Sequence, residues 1–138
     1  MKRAFLDTNI LLDYYLNRQG ADEAEKVFEE ASNGRIELFA STLTFANFAY
    51  VVKREHSRDE VYYALDEVER CITALPMDRR QLRQAIDHPS RDFEDMLQYQ
   101  CAVAGGCDVI ITNNKKDFLE FSQLPLYTAE EYLQKLKR

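Results

Sequence analysis

The pattern of apolar and polar positions along the chain predicts helices that alternate with short buried strands. Apolar residues recur at helical spacing in three segments of the first half, residues 21–31, 42–55 and 58–69. Short apolar or alternating runs typical of strands lie at residues 4–6, 36–40 and 72–75. Strands and helices in alternation indicate a parallel sheet with helices packed on it.

The second half of the chain carries clear helix-start signals. A capping side chain is followed three residues later by an acid or amide at Asp78 and Gln81, at Asp92 and Asp95, and at Thr128 and Glu131. These pairs predict helices that reach residues 86, 104 and 137, and the apolar run 108–112 predicts a buried strand. The whole pattern predicts one α/β domain, residues 1–138, built as a three-layer α/β/α sandwich around a central, mainly parallel sheet.

The amino-acid composition argues against several classes of protein. The chain has 138 residues, 46% of them hydrophobic, which is enough for a core without disulfides or a structural metal. Its net charge of −6 argues against a protein that binds nucleic acid indiscriminately through positive charge. The three cysteines lack the CxxC spacing of zinc sites. No apolar run approaches the ~20 residues of a membrane span, and residues 4–6 are too short for a signal-peptide core, so we expect a cytoplasmic protein without a membrane partner.

Acidic and amide side chains follow two of the predicted strands. Residues 7–9 (Asp-Thr-Asn) come directly after the first strand, and residues 113–117 (Asn-Asn-Lys-Lys-Asp) follow the strand 108–112. A third polar group, residues 91–95, opens the helix that precedes this second strand. Because the carboxyl ends of parallel strands share one edge of a sheet, we expect the three groups to lie close together. Their hard oxygen ligands suit Mg²⁺ or Mn²⁺, and a metal ion held there would assist the hydrolysis of a phosphodiester.

Structural interpretations of the same acids remain open. Asp92 has the position of a helix N-cap, and Asp95 has that of an acid in the first helical turn, where the helix dipole favours it. Asp117 can simply begin a short segment at residues 117–121. Asp7 is different, because a carboxylate directly after an apolar strand needs a partner when it is buried.

Taken in order, several motifs resemble those of the PIN-domain nucleases. The run 5–13 (Phe-Leu-Asp-Thr-Asn-Ile-Leu-Leu-Asp) is similar to the opening motif of that family. The Asp-Phe-Glu-Asp run 92–95, the strand 108–112 and the Lys-Asp-Phe run 116–118 resemble its second half, and residues 124–128 fit its usual ending. The resemblance covers nearly the whole chain and is closest to the VapC-like toxins of toxin–antitoxin pairs.

The resemblance implies a metal-dependent endoribonuclease with a four-acid site that uses Mg²⁺ or Mn²⁺. Asp7 matches the first acid of the family and Asp95 matches the third. The implied metal ligands are Asp7, Asp95 and Asp92. The side chains expected to support them are Thr8, Asn9 and Thr112.

The sequence departs from the family pattern at two of the four acids. The second acid is replaced by Asn47 and the fourth by Asn114, with Asp117 as a nearby substitute. The predicted catalytic set is therefore Asp7, Asp95, Asn47, Asn114 and Asp117. An amide can lend an oxygen to Mg²⁺ but brings no negative charge. The alternative interpretation is a catalytically degenerate PIN-like module that binds RNA or protein.

Substrate and partners follow from the same resemblance. An RNA substrate needs local positive charge in a chain that is acidic overall. Lys115 and Lys116 are the predicted phosphate contacts, because their loop follows a strand at the expected active edge. The resemblance also implies a homodimer and an antitoxin protein that covers the site.

Overall fold

Five parallel strands form the centre of the computed structural model, which describes residues 2–137. The strands are β1 (Lys2–Leu6), β2 (Ile36–Ser41), β3 (Thr73–Leu75), β4 (Val109–Ile111) and β5 (Leu126–Tyr127). They lie in the order β3-β2-β1-β4-β5, and every neighbouring pair is parallel. The direction of the strand order reverses between β1 and β4. Such a reversal leaves a crevice at the carboxyl ends of the two strands, where α/β proteins bind their ligands.

Eight helices connect and cover the strands within the described residues. They are α1 (Thr8–Tyr15), α2 (Ala21–Ser32), α3 (Thr42–Val52), α4 (Arg58–Cys71), α5 (Arg79–Asp87), α6 (Phe93–Ala104), α7 (Lys116–Leu119) and α8 (Ala129–Leu136). The pattern predicts six of them, but it predicts neither α1, which begins where the pattern predicts a polar turn, nor α7, nor the two-residue strand β5. Residues 2–137 contain no helix that is both long and apolar enough to cross a membrane.

The strands are buried on both faces because their side chains alternate between two apolar clusters. In β1, Ala4 and Leu6 belong to the cluster formed with α1 to α4 and α8, whereas Phe5 belongs to the cluster formed with α5 to α7. On β4, Ile111 and Ile110 divide in the same way. The predicted sandwich of helices on both faces of a parallel sheet is confirmed.

The helix-start signals in the sequence correspond to real caps. Residues 78 and 81 form a capping box at α5, and residues 128 and 131 form another at α8. Asp92 is the N-cap of α6, where its side chain accepts a hydrogen bond from the backbone N–H of Asp95. At the other predicted polar turn, α1 begins at Thr8, directly after β1 and Asp7. The short β1–α1 connection therefore holds Asp7 at the edge of the sheet.

Candidate active site

Asp7 lies at the carboxyl end of β1. Its backbone N–H donates to the carbonyl oxygen of Ile111 at 3.0 Å, which continues the pairing of β1 with β4 beyond the strand. Thr112 Oγ1 donates to Asp7 Oδ2 at 2.8 Å, and the backbone N–H of Thr8 also donates to this carboxylate. Burial raises the pKa of Asp7 above its ordinary value, while the two hydrogen bonds act in the opposite direction. Asp7 is therefore a desolvated carboxylate that two donors orient.

Thr112 links Asp7 to the loop that follows β4. Its side chain is fully buried, and its Oγ1 accepts a hydrogen bond from the backbone N–H of Asn114 at 3.0 Å. That contact leaves the hydroxyl proton for Asp7. The carbonyl oxygen of Asn114 in turn accepts from the backbone N–H of Asp117 at 3.0 Å, in the turn that starts α7. The same loop thus orients Asp7 and brings Asp117 to this edge.

Asp95 lies in the first turn of α6 and faces the other acids. Desolvation and the neighbouring charge of Asp92 raise the pKa of Asp95 from 3.8 to about 7. Weaker contributions come from the carboxylates of Asp117, Asp7 and Glu94. Carboxylates from β1, α6 and α7 therefore act on one another, and their mutual repulsion opposes ionisation. A bound cation would offset this repulsion.

Asn47 bridges α3 and α6 at this edge. Its Nδ2 donates to Glu94 Oε1 at 2.6 Å. The amide therefore holds a carboxylate that α6 supplies, and the charge of Glu94 acts on both Asp7 and Asp95. The contact thus places the negative charge of Glu94 beside Asn47, a neutral residue of α3.

A buried polar network lies beneath the acids and joins the elements that carry them. Gln98, on α6, accepts a hydrogen bond from Ser41 Oγ at 2.6 Å through its Oε1 and donates one to Thr44 Oγ1 at 3.1 Å through its Nε2. Ser41 also accepts from the backbone N–H of Thr44 as the N-cap of α3. Thr8 Oγ1, at the start of α1, donates to Thr44 Oγ1 at 3.3 Å. The network fixes α1, α3 and α6 relative to one another.

A small cavity opens beside the acids. It has a volume of about 240 Å³ and is lined by Arg91, Asp92, Asp95, Lys116, Asp117, Glu120 and Phe121. The neighbouring Lys115 points elsewhere, since its Nζ lies 2.9 and 3.0 Å from the two carboxylate oxygens of Glu131 on α8. The two lysines that the sequence analysis selected therefore have different surroundings.

The sequence identifies the family to which this arrangement belongs. The PIN domain pattern matches residues 3–116, which includes Asp7, Asn47, Asp95 and Asn114. The chain belongs to the PIN domain family. The family predicted from the motifs is therefore confirmed.

Three known proteins illustrate the relationship. Ribonuclease VapC1 of Aquifex aeolicus (strain VF5) is 22% identical over 143 residues, which cover 97% of this chain and 95% of the relative. DNA-bound VapBC from Salmonella typhimurium contains a chain with a TM-score of 0.72 at 16% identity, covering 94% of this chain and 99% of that one. A toxin–antitoxin complex from Klebsiella pneumoniae contains a chain with a TM-score of 0.68 at 20% identity. The match covers 91% of this chain and 97% of that one. The two structures support the PIN fold.

Divalent metal ions are generally used by PIN-domain ribonucleases, so we tested whether these residues fit one. In residues 2–137, no three His, Cys, Asp or Glu side chains converge closely enough to surround a metal ion. The carboxylate of Asp7 nevertheless helps to raise the pKa of Asp95, and those of Asp117 and Glu94 raise the pKa of both groups. A bound cation would relieve this repulsion. Mg²⁺ is commonly held by one or two carboxylates together with water and substrate phosphate. The acids of this PIN domain fit such an open site and do not form a closed cage.

The structure brings most of the predicted residues to one edge of the PIN domain. These are Asp7, Thr8, Asn47, Asp92, Asp95, Thr112, Asn114, Lys116 and Asp117. Asn9 is instead exposed on α1, and Lys115 pairs with Glu131. Neither Gln98 nor Arg91 is among the site residues predicted from the sequence. Gln98 had a detectable signal, because it is a polar residue at a position of α6 that helical spacing assigns to the buried face.

Proposed function

We propose that this PIN domain is a metal-dependent endoribonuclease and the toxin component of a toxin–antitoxin pair. The observation that carries the proposal is the approach of Asp7, Asp95 and Asp117, from three different parts of the chain, to the carboxyl edge of the sheet, near enough for their charges to act on one another though not near enough to enclose an ion. The similarity to a protein named ribonuclease VapC1 over nearly the whole chain supports the activity. The similarity to a chain from a toxin–antitoxin complex supports the biological role.

The residues of the proposed site have different roles. Asp7 and Asp95 would hold Mg²⁺ or Mn²⁺, and Asp92 would contribute negative charge while it caps α6. When bound, the cation supplies positive charge that stabilises the phosphodiester as negative charge develops on it. Thr112 orients Asp7 by donating to Oδ2, and Asn47 holds Glu94 by donating to Oε1.

The remaining polar residues complete the proposed catalytic set. Asp117 adds a carboxylate from α7 that lines the same cavity as Asp95. Asn114 shapes the loop through its backbone, because its N–H binds Thr112 and its carbonyl oxygen binds the N–H of Asp117. Both amides of the set thus act on carboxylates, Asn47 directly and Asn114 through the loop.

A cleavage assay tests this function. Purified protein is incubated with structured and with single-stranded RNA in the presence of Mg²⁺, Mn²⁺ or chelator. We expect cleavage with a divalent ion, none with chelator, and a loss of about 100-fold or more in Asp7→Asn. Asp66→Asn is the control, because Asp66 is an exposed acid on α4 that pairs only with Arg70. Cleavage that persists in chelator or in Asp7→Asn would contradict the metal mechanism.

A second candidate function is a PIN-like module that binds RNA or protein without cleaving it. The observation that favours it is the pair of amides, Asn47 and Asn114, at positions where the family pattern has acids. The same assay separates the two candidates. RNA that is bound but remains intact with every divalent ion supports the module, whereas metal-dependent cleavage supports the nuclease.

We also propose the molecular context of the protein. As a toxin of this kind it would act on RNA in the cytoplasm, form a homodimer and be neutralised by an antitoxin protein that covers the acids. A small reading frame beside the gene, whose product binds the purified protein and stops cleavage, would support the antitoxin. A product that binds without affecting cleavage would contradict coverage of the site.

A further inference from the structure

Two cations line the cavity beside the acids. Arg91 precedes the N-cap of α6, and Lys116 is the first residue of α7, so they approach the cavity from different elements. Four acids, Asp92, Asp95, Asp117 and Glu120, line the same cavity. Among residues 2–137, neither cation forms an ion pair with these or other acids. Both side chains therefore keep their charge available to an anion.

Lys115 gives the contrasting case within the same loop. Its ammonium group is held by both carboxylate oxygens of Glu131, and it lines a different cavity, together with Tyr127 and Lys135. A phosphate that bound Lys115 would have to compete with this carboxylate. Adjacent lysines in the sequence are thus in opposite electrostatic situations.

An anionic substrate needs basic side chains close to this site, because the acids would otherwise repel it. A phosphodiester that approaches Asp7 or Asp95 meets several carboxylates in a chain whose net charge is −6. Arginine binds phosphate through a planar fork of N–H donors, and lysine supplies a compact positive charge. The cavity volume, about 240 Å³, lies below the ~300–1,000 Å³ of ordinary small-molecule pockets. This size favours a phosphate group over a whole nucleotide.

We propose that Arg91 and Lys116 together hold one backbone phosphate of the RNA substrate at the cavity beside Asp95 and Asp117. This inference rests on the proposed ribonuclease function and adds the path of the RNA strand. The strand crosses between the start of α6 and the start of α7. One phosphate is fixed there, while the next part of the backbone lies against the acids at the end of β1.

Salt-dependent RNA binding tests the contact without any need for turnover. The affinity of the full chain for a single-stranded RNA oligonucleotide is measured in chelator over a series of salt concentrations. Each phosphate contact to a single strand contributes about 0.7 to the slope of log affinity against log salt. We expect Arg91→Gln and Lys116→Gln each to weaken binding about 3- to 10-fold and to lower the slope by about that amount.

Lys115→Gln is the matched control, and we expect it to keep the slope of the wild type because its ammonium group is already paired. All three positions lie at the surface or partly exposed, and thermal melts verify that the variants fold. Wild-type affinity and slope in Arg91→Gln and Lys116→Gln would overturn the inference. An equal loss in Lys115→Gln would overturn it as well, since the effect would then reflect general charge.

The binding and cleavage experiments test the phosphate contact and the nuclease proposal separately. If the variants lose affinity and slope but the wild type cleaves no RNA with any divalent ion, the phosphate contact stands and the nuclease proposal fails. If the wild type cleaves RNA and the two substitutions change neither affinity nor slope, the nuclease proposal stands and the contact fails. A wild type that binds no RNA in chelator overturns the phosphate contact, and the cleavage assay with divalent ions then decides the nuclease proposal separately.

Discussion

Asp95 is a carboxyl group whose neighbours oppose its ionisation. Desolvation, Asp92 and three further carboxylates raise its pKa to about 7. In an unfolded chain the pKa would lie near 3.8. Between these two values the folded protein binds a proton that the unfolded chain has released. The free energy of unfolding therefore falls as the pH rises from about 4 to about 7, and it levels off above that range.

We expect Asp95→Asn to stabilise the metal-free protein at neutral and alkaline pH. Near pH 8 the gain should be on the order of 1–2 kcal/mol, because solvent and salt screen part of the full effect of a pKa displaced to about 7. Near pH 4 the variant and the wild type should have similar stability, because Asp95 is then protonated in the folded state. Denaturant unfolding in chelator at both pH values measures the difference.

Divalent ions provide the complementary measurement for Asp95. Mg²⁺ or Mn²⁺ should raise the melting temperature of the wild type more at about pH 8 than at about pH 5, because protons compete with the cation for the carboxylates. Asp95→Asn should show a much smaller rise. An Asp95→Asn variant that is less stable than the wild type in chelator would contradict the repulsion that we describe.

At the scale of elements, Gln98 is the residue that joins α6 to α3. Its side chain is buried and bonds to both Ser41 and Thr44. We expect Gln98→Leu to reduce the free energy of unfolding by about 1–3 kcal/mol, because it removes one hydrogen bond from each of two buried hydroxyls, those of Ser41 and Thr44. Denaturant unfolding measures this cost. Gln100→Leu is the control, because Gln100 is only half-buried and its amide contacts just the sulfur of Met96.

The two glutamine variants should also differ in cleavage. Gln98→Leu shifts α6 relative to α3 and α1, so it should lower kcat of the proposed nuclease even at temperatures where the protein is fully folded. Gln100→Leu should leave kcat unchanged. Equal effects of the two substitutions on stability would mean that the buried network does not hold these helices together.

The contact between α3 and α6 gives a prediction about charge. Asn47→Glu places a second carboxylate against Glu94, 2.6 Å from the present donor, so we expect the single variant to be destabilised and no more active than the wild type. A double variant, Asn47→Glu with Glu94→Gln, exchanges the two groups. One carboxylate and one amide then remain in contact. We expect this double variant to regain the stability and metal-dependent cleavage that Asn47→Glu loses.

Unfolding experiments and the cleavage assay on the two single variants and the double variant measure this coupling. Glu94→Gln alone removes the charge and should weaken Mn²⁺ binding, as followed by calorimetry. If Asn47→Glu alone raises cleavage, the site lacks an acid that Glu94 does not replace, which favours the degenerate module for the natural sequence.

The limits of sequence-based prediction are also visible at this scale. Helical periodicity and caps predict α6 and its first turn, and a strand followed by Asp7 predicts the edge on which the acids meet. Neither pattern predicts that Asn47 reaches Glu94, because the two residues are distant in the chain and meet only through packing on the sheet. Lys115 and Lys116 could not be separated either, since adjacent residues at a helix start point about 100° apart and the pattern does not predict α7.

At the scale of the whole molecule, the charges are unevenly distributed. The net charge is −6, yet the crevice between β1 and β4 concentrates several acids at one edge of the sheet. Elsewhere on the surface, some acids are neutralised in exposed ion pairs, such as Asp87 with Arg83 and Asp66 with Arg70. The acids at the proposed active edge instead lie near one another, so a cation or a free basic side chain would balance them there.

The proposed homodimer requires an apolar surface outside this edge. Leu82 and Ile86 are 43% and 45% exposed and stand one turn apart on α5, about 100° around the helix from the buried Gln81 and Ala85. Helix α5 packs on α6, whose first residue, Phe93, is 49% exposed. We infer that this face of α5 contributes to the dimer contact, because exposed large apolar residues at helical spacing are buried most readily by a second protein surface.

We expect the wild type to have the mass of a dimer in light scattering coupled to gel filtration and the variant with Leu82→Glu and Ile86→Glu to have that of a monomer. The two charges would be desolvated in the contact, which costs far more than the apolar area gains. Gln134→Glu, at an exposed polar position on α8, is the control, and it should remain dimeric. A monomeric wild type would contradict the dimer, and a dimeric α5 variant would place its interface elsewhere.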